Sequence, residues 1–286
     1  GDIDVDGTTN LDVVDIDGAV DMASTLTIGG AINGVTIKAD TTNFINSILI
    51  SQNASTGTLS SADNNTGLGD SVFAALTSGT QNIAIGQSAG LSLTEGIRNT
   101  IVGALAADAM TDADNNEAFG YGALSSNVLG SRSTAIGTAA LLTQNPSTAT
   151  NMYNVAVGYE AGLSISTGLA NTIIGGLAGD AITTGGNNVS VGYNSLSANT
   201  TASENTAIGN AALNANTTGL ENVAVGSSAL SLNTTTSNNT AVGRMALRDN
   251  TAANNTAVGH QTMITNTTGH SNCAFGKGAL DANTTG

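Results

Sequence analysis

The chain of 286 residues carries 21 acidic residues against six Lys and Arg, a formal net charge of −15. Only 9% of its residues are charged and 3% are aromatic, with no Trp. Such a surface lacks the basic footprint of a nucleic-acid-binding protein and the rings of a base-stacking platform. One cysteine, Cys273, excludes an intrachain disulfide framework, and no apolar run is long enough to predict a membrane span.

Residues 1–45 differ from the rest of the chain and contain eight of its acidic residues. The stretch "DIDVDG" resembles the opening of a calcium loop, which makes Asp2, Asp4 and Asp6 candidate ligands for a divalent ion. An EF-hand is excluded because Val13 stands where such a loop needs a bidentate Glu. The same alternation also fits a strand whose acidic face is solvated. We interpret residues 1–45 as a shaft or adaptor of short strands.

A repeat of about seventeen residues fills residues 46–286. We number its positions from the Asn of motifs such as "NTAIG", so that position 1 is Asn and position 5 is Gly. One copy is a residue short, and another is lengthened by an insertion around Pro146. The predicted copies begin at Asn46, Asn65, Asn82, Asn99, Asn116, Ser133, Asn154, Asn171, Asn188, Asn205, Asn222, Asn239, Asn255 and Asn272.

Each position of the repeat has a physical interpretation. Alternation in "NTAIG" predicts a short strand with Thr206 and Ile208 on one face and Ala207 on the other. Gly at position 5 permits a bend, an "AL" pair forms a second apolar stretch, strand or coil, and Asn, Thr and Gly favour a closing turn. Frequent Gly disfavours a helix. The expected structural residues in three successive copies are Asn205, Gly209, Leu213, Asn222, Gly226, Leu230, Asn239, Gly243 and Leu247.

These features predict an all-β fold, a parallel β-solenoid in which each copy forms one rung. Fourteen rungs stacked at the spacing of β-strands extend about 65 Å. Equivalent residues then form columns, and an Asn column passes hydrogen bonds from rung to rung. Because the strand has apolar residues on both faces, we expect chains to associate side by side in a closed, parallel homotrimer.

The motifs "NTAIG", "NVAVG" and "NTAVG" resemble the repeats of YadA-like trimeric adhesin heads, which implies a left-handed parallel β-roll and an elongated homotrimer. Arrays of "NTAIG", "AL" and "NTTG" are also similar to tail-fibre proteins of marine bacteriophages. The resemblance covers residues 46–286, although the repeat here is a few residues longer than in the adhesin heads.

The sequence predicts no enzyme and no cofactor. The two histidines, His260 and His270, occupy repeat positions that vary freely and are interpreted as exposed residues. Four carboxylates, Asp108, Asp112, Asp114 and Glu117, lie close together in the sequence; they leave a glycosidase-type pair open, with a solvated acidic corner as the alternative. Cys273 is interpreted as a small strand residue.

Three functional hypotheses follow. The first is a segment of a phage tail fibre, located in the virion, that extends a host-receptor-binding tip expected beyond Gly286; the receptor is a glycan or a protein. The second is a bacterial surface adhesin of the trimeric autotransporter type, located outside the cell. The third is a monomeric solenoid that binds ice through columns of Thr and Asn. The insertion around Pro146 is a candidate binding loop, since loops on rigid scaffolds carry function.

Overall fold

The computed structural model describes residues 35–285, and within this range all regular elements are β-strands and no helix occurs. The strands are β1 (Thr36–Thr41), β2 (Phe44–Ser51), β3 (Thr66–Leu68), β4 (Ile83–Ile85), β5 (Thr100–Val102), β6 (Glu117–Phe119), β7 (Gly130–Ser131), β8 (Thr134–Ile136), β9 (Thr150–Asn151), β10 (Val155–Val157), β11 (Thr172–Ile174), β12 (Val189–Val191), β13 (Thr206–Ile208), β14 (Val223–Val225), β15 (Thr240–Val242), β16 (Thr256–Val258) and β17 (Cys273–Phe275).

The strands form a parallel β-solenoid of about 13 turns, which confirms the predicted all-β solenoid with rungs of about 17 residues. Fifteen strands make one sheet in chain order, from β1 to β17 without β7 and β9. Strand β1 pairs antiparallel with β2, and every later neighbour in this sheet is parallel. Strands β7 and β9 form a separate two-stranded sheet. At the usual inter-strand spacing, the stack from β2 to β17 extends about 60 Å.

The pairing register places the first rung one residue later than predicted. Ile48 pairs with Thr66, which puts Ser47 rather than Asn46 at position 1 and Ile50 at position 4 rather than in the Gly position. The Ser47 hydroxyl accepts a hydrogen bond from the Asn65 N–H at 2.8 Å, as an Asn side chain does elsewhere. The prediction was wrong because it followed the identity of Asn, whereas the faces of the strand decide the register.

The second apolar stretch of each rung is a series of turns rather than a strand. The backbone takes the left-handed conformation at position 7, at position 9 and at position 17. In the rung that begins at Asn205, these residues are Ala211 (φ 54), Leu213 (φ 49) and Glu221 (φ 56). Because such residues cost roughly 1–2 kcal/mol each outside Gly, the corners depend on the contacts between stacked rungs.

Gly at position 5 is required by both backbone conformation and space. Gly175 has φ +133, a region that L side chains rarely adopt, and a Cβ added there would lie 2.6 Å from the carbonyl oxygen of Gly192 in the next rung. The neighbouring Gly176 has no such constraint, since its added Cβ would meet nothing closer than 3.8 Å. The column of position 5 glycines therefore lets successive backbones stack directly.

The core consists mainly of the side chains at positions 3, 8, 9 and 12, and large and small residues alternate between the last two. Where position 9 holds leucine, as at Leu213, position 12 holds an amide, here Asn216. In two rungs where position 9 is glycine, at Gly162 and Gly179, position 12 holds isoleucine. These isoleucines are Ile165 and Ile182. A Cβ on Gly162 would lie 2.9 Å from Ile165 Cδ1. Most rungs therefore hold one large aliphatic side chain, which comes from position 9 or from position 12. The volume of the interior thus stays nearly constant from rung to rung.

A buried Asn at position 1 joins each rung to itself and to its neighbours. The Asn188 Nδ2 donates to Asn171 Oδ1 of the preceding rung at 3.1 Å and to the Ala202 carbonyl at the end of its own rung at 3.0 Å. The Asn188 Oδ1 accepts from the Asn205 N–H at 3.0 Å. These amides are fully buried. The ladder thus supplies partners for buried backbone groups that no strand pairing reaches.

The gap in this ladder at Ser133 is filled by Gln144, which stands at position 12 of the same rung, just before the insertion around Pro146. Ser133 stands at position 1, and its hydroxyl donates to Gln144 Oε1 at 3.1 Å, while Asn154 Nδ2 donates to the same oxygen at 2.9 Å. Pro146 and Met152 are buried, whereas Asn145, residues 147–149 and Asn151 are exposed. The insertion therefore places some of its residues in the interior and exposes the others.

We predict that Gly175→Ala is much more destabilising than Gly176→Ala. The first change forces a Cβ into the Gly192 backbone at a positive φ and is expected to lower the free energy of unfolding by about 2–3 kcal/mol. The second is expected to be neutral or slightly stabilising, by roughly 0.5 kcal/mol. Urea unfolding followed by circular dichroism measures both, and equal losses would contradict the stacking argument.

We predict that Asn188→Ala lowers the free energy of unfolding by about 3 kcal/mol, because the Asn205 N–H and the Ala202 carbonyl lose buried partners. Asn210→Ala is the matched control, since Asn210 is exposed at position 6 and its loss is expected to stay within about 0.5 kcal/mol. Chemical denaturation of the two variants makes the comparison, and a comparable effect at both sites would remove the ladder from its structural role.

Candidate functional site

The outward face of the sheet carries an apolar column at position 4. Every one of its members is aliphatic or aromatic and at least partly exposed, and position 2 beside it is mostly Thr, Val or Ile. The inward residue between them, such as Ala207, is fully buried. The column consists of Ile50, Leu68, Ile85, Val102, Phe119, Ile136, Val157, Ile174, Val191, Ile208, Val225, Val242, Val258 and Phe275.

A second exposed feature lies past the end of the strand, at position 6. Tyr121, Tyr159 and Tyr193 occupy this position with exposed fractions of 58%, 57% and 59%, and each follows a position 5 glycine. They recur on every second rung, and the small residues Thr138 and Gly176 occupy the rungs between them. This column was not among the sequence predictions, although three of the four tyrosines directly follow a repeat glycine.

The fourth tyrosine, Tyr153, is also exposed but lies at position 17, outside this column. Its ring centroid is 5.9 Å from the Arg132 guanidinium carbon, so it has a partner within the chain.

The carboxylate of Glu160 lies beside the central ring of the column. A hydrogen bond with Glu160, together with the charge of that carboxylate, raises the pKa of Tyr159 above its ordinary value. Burial raises the pKa of Asp180, and the charge of Glu160 adds to that effect. One oxygen of Asp180, Oδ1, is buried without a hydrogen-bond partner. The Tyr159 phenol therefore remains a neutral hydrogen-bond donor over the whole ordinary pH range.

The carboxylates singled out in the sequence do not converge on one point. They occupy positions 10, 14, 16 and 2, and each accepts a hydrogen bond from an adjacent rung. The pairs are Asp108 with the Ser125 hydroxyl (2.6 Å), Asp112 with the Thr94 hydroxyl (2.7 Å), Asp114 with the Ile97 N–H (2.8 Å) and Glu117 with the Thr134 hydroxyl (2.9 Å). These contacts tie rungs together.

The histidines and the cysteine are also separate from one another. His260 Nε2 lies 3.3 Å from Arg244 Nη1, His270 Nδ1 lies 3.4 Å from the Ser271 hydroxyl, and Cys273 is exposed in β17. Within residues 35–285, no three His, Cys, Asp or Glu side chains form a cluster that could hold a metal ion. The candidate ligands Asp2, Asp4 and Asp6 lie outside the described residues.

One cleft of about 280 Å³ opens at the first rungs, lined by Val35, Ile50, Leu68 and Asp70 among others. Its lining holds a single carboxylate, which is insufficient for acid–base chemistry by a pair of groups. None of the described residues form a helix that could span a bilayer.

Comparison with protein-family models, with curated proteins and with solved structures gave no match for this chain. The arrangement of its own residues is therefore the basis for assigning a function. Two features have no structural role inside a single chain, namely the apolar column at position 4 and the tyrosine column at position 6.

We predict that Glu160→Gln lowers the pKa of Tyr159, because it removes the negative charge that opposes formation of the phenolate. The chain has four Tyr and no Trp, so phenolate absorbance during an alkaline titration resolves the change. Glu221→Gln, on another rung, is the control and should leave the titration curve unchanged. A Glu160→Gln curve identical to that of the unmodified protein would contradict the assigned contact.

Proposed function

We propose that this solenoid is the rod of a trimeric fibre that extends a host-receptor-binding tip, as in a phage tail fibre. The apolar column at position 4 is the observation that carries the proposal. A parallel sheet is ordinarily covered on both faces, whereas here the inner face is covered by the chain's own turns and the outer face is open. Soluble monomers rarely expose a continuous apolar patch of this extent.

Three parallel chains would bring their position 4 columns together around a common axis. Closed cyclic symmetry covers the same face on every subunit and leaves no free copy of it. Residues such as Ile174 and Ile208 repeat at each rung, so contacts favourable at one level would recur along the stack. The left-handed sense of the coil belongs to the same proposal and rests on the resemblance of the repeats to the adhesin heads.

A long stack with a regular interior, in which the described residues bring no catalytic groups together, suits a spacer better than an enzyme. The charge of −15 favours solubility while disfavouring nucleic acid as a partner. We therefore place the chain in a virion and assign it no catalysis. The resemblance of its repeats to both fibre and adhesin sequences leaves a bacterial surface adhesin as the second candidate, because such an adhesin would bury the same column.

The ice-binding hypothesis is disfavoured by the exposed columns. A flat ice-binding surface needs a regular row of Thr, whereas position 2 interleaves Thr206 with Val189 and Val223 and includes Glu117. Absence of thermal hysteresis in a solution of the protein would exclude this function.

We predict that light scattering gives the mass of three chains, each 28.1 kDa. Introducing charge into the buried interface should be costly, so the double variant Ile174→Lys and Ile208→Lys is expected to shift the particle to monomers. The double variant Thr184→Lys and Thr218→Lys, at two exposed positions in the closing turns, is the charge-matched control and should leave the trimer intact. A monodisperse monomer for the unmodified protein would overturn the fibre proposal, and a stable dimer would overturn the threefold arrangement.

Electron microscopy of the source particle or cell separates the two candidates. An antibody against the solenoid that labels virion fibres supports the tail fibre, and labelling of a bacterial cell surface supports the adhesin.

A further inference from the structure

We infer that Tyr121, Tyr159 and Tyr193 form a binding site on the flank of the rod for an extended, neutral β-1,4-linked polysaccharide. The inference goes beyond the proposed fibre function, which places receptor binding at a tip. It rests on the position, spacing and exposure of the three rings and does not depend on the virion assignment.

The spacing of the rings is set by the fold. Tyrosines two rungs apart are separated by about 9.6 Å along the stack, twice the distance between hydrogen-bonded strands. In an extended β-1,4-linked chain, successive sugar rings are turned over, so that every second ring presents the same face. One disaccharide unit of such a chain is close in length to two rungs. Three tyrosines therefore match alternate sugars over five consecutive rings.

The chemistry of the tyrosine side chain fits this ligand. Its ring offers a flat apolar face that can stack on the C–H face of a pyranose, and its hydroxyl can bond to sugar hydroxyls. All three rings are more than half exposed. Only 3% of the residues in this chain are aromatic, yet three of them are aligned and exposed on one column. Exposed apolar groups arranged together on a protein surface commonly mark a binding site.

The intervening rungs leave the rings accessible. Gly176 lies between Tyr159 and Tyr193, and a Cβ at Gly176 would be 3.8 Å from Tyr193 Cδ2, so the Tyr193 ring lies over the backbone of that rung. Thr138 fills the corresponding place between Tyr121 and Tyr159. Neither residue is large enough to block a chain that runs along the column.

The electrostatics favour an uncharged polysaccharide. The protein carries a net charge of −15, and Glu160 lies beside the central ring, where its hydrogen bond with the phenol raises the pKa of Tyr159. A polyanion would be repelled at this place. The cations at position 6, Arg244 and Lys277, lie three and five rungs beyond Tyr193 and are therefore outside the proposed binding site.

The tyrosine column lies apart from the face that we propose is covered in the trimer. Position 5 glycine bends the chain between the last strand residue and the tyrosine, as in Val157, Gly158 and Tyr159, where Gly158 has φ +141. The rings therefore lie past the end of the strand rather than in its outward face. Binding along the flank would let each of three chains contribute a separate ladder.

Calorimetric titration of the full chain with cellohexaose tests the proposal. The unmodified protein is expected to bind it, and Tyr159→Ala, which removes the central ring, is expected to weaken binding roughly tenfold, the effect of about 1.4 kcal/mol of lost stacking. Tyr153→Ala is the matched control, because Tyr153 is equally exposed but lies off the column; binding should not change. Maltohexaose has the same sugar in a curved α-linked chain and should bind much more weakly.

Light scattering on the same samples separates this proposal from the fibre proposal. A trimer that binds neither cellohexaose nor chitohexaose would overturn the saccharide proposal alone, and a monomer that binds would overturn the fibre proposal alone. Equal losses of affinity in Tyr153→Ala and Tyr159→Ala would also overturn the saccharide proposal. If Tyr159→Ala dissociated the trimer, the ring would belong to the subunit interface instead. Binding that vanished in Arg244→Ala and Lys277→Ala but survived in Tyr159→Ala would assign the site to a charged ligand and overturn the proposal.

Discussion

Most rungs of this solenoid are closed by one buried asparagine amide that also bonds to the rungs before and after it. Asn188 shows the full set, since its amide nitrogen reaches Asn171 and the far end of its own rung while its oxygen accepts the Asn205 N–H. The strands are only three residues long in most rungs, and the remaining backbone forms turns whose polar groups need other partners. The amide ladder supplies those partners in the interior, where an unpaired group costs about 1–3 kcal/mol.

Irregular residues in the ladder and in the core are accompanied by compensating residues in the same rung. Where Asn is missing at Ser133, Gln144 at position 12 of the same rung brings its Oε1 to the vacant place. Where Leu is missing at position 9, a large residue such as Ile165 enters from position 12. Ser190 at position 3 pairs with Ser195 at position 8, with oxygens 2.6 Å apart. Substitutions inside the rungs thus occur with a compensating residue, because close-packed interiors tolerate neither a void nor an orphaned polar group.

The outside of the rod follows another rule. Outward side chains do not have to fit into the close-packed core. The exception is position 5, where the neighbouring backbone leaves room only for glycine. Apolar residues nevertheless persist at position 4 on every rung, and tyrosines recur at position 6 on alternate rungs. Burial within one chain accounts for neither pattern. The proposed subunit interface and the proposed saccharide site would account for them with different faces of the same rung, so that assembly and recognition could coexist.

The residue pattern was sufficient to predict strands, bends and stacking of this chain, because period-two alternation and a seventeen-residue repeat leave few alternatives to a parallel solenoid. It also indicated Asn columns and the absence of a disulfide framework. It misplaced the first rung by one residue, since Asn46 has the expected identity while backbone pairing selects Ser47. The pattern also could not decide which strand face is inward, since Ala207 and Ile208 are both apolar.

Tertiary structure decided that point. Ala stands at position 3 in most rungs and is fully buried, whereas the larger residue at position 4 is at least partly exposed. Only the stack brings residues 17 positions apart to neighbouring rungs, where Tyr159 and Tyr193 align and where Gln144 reaches the Asn ladder. Local sequence determined the form of one rung because strand alternation and turn chemistry act over a few residues. The columns required the tertiary structure because they depend on contacts between rungs.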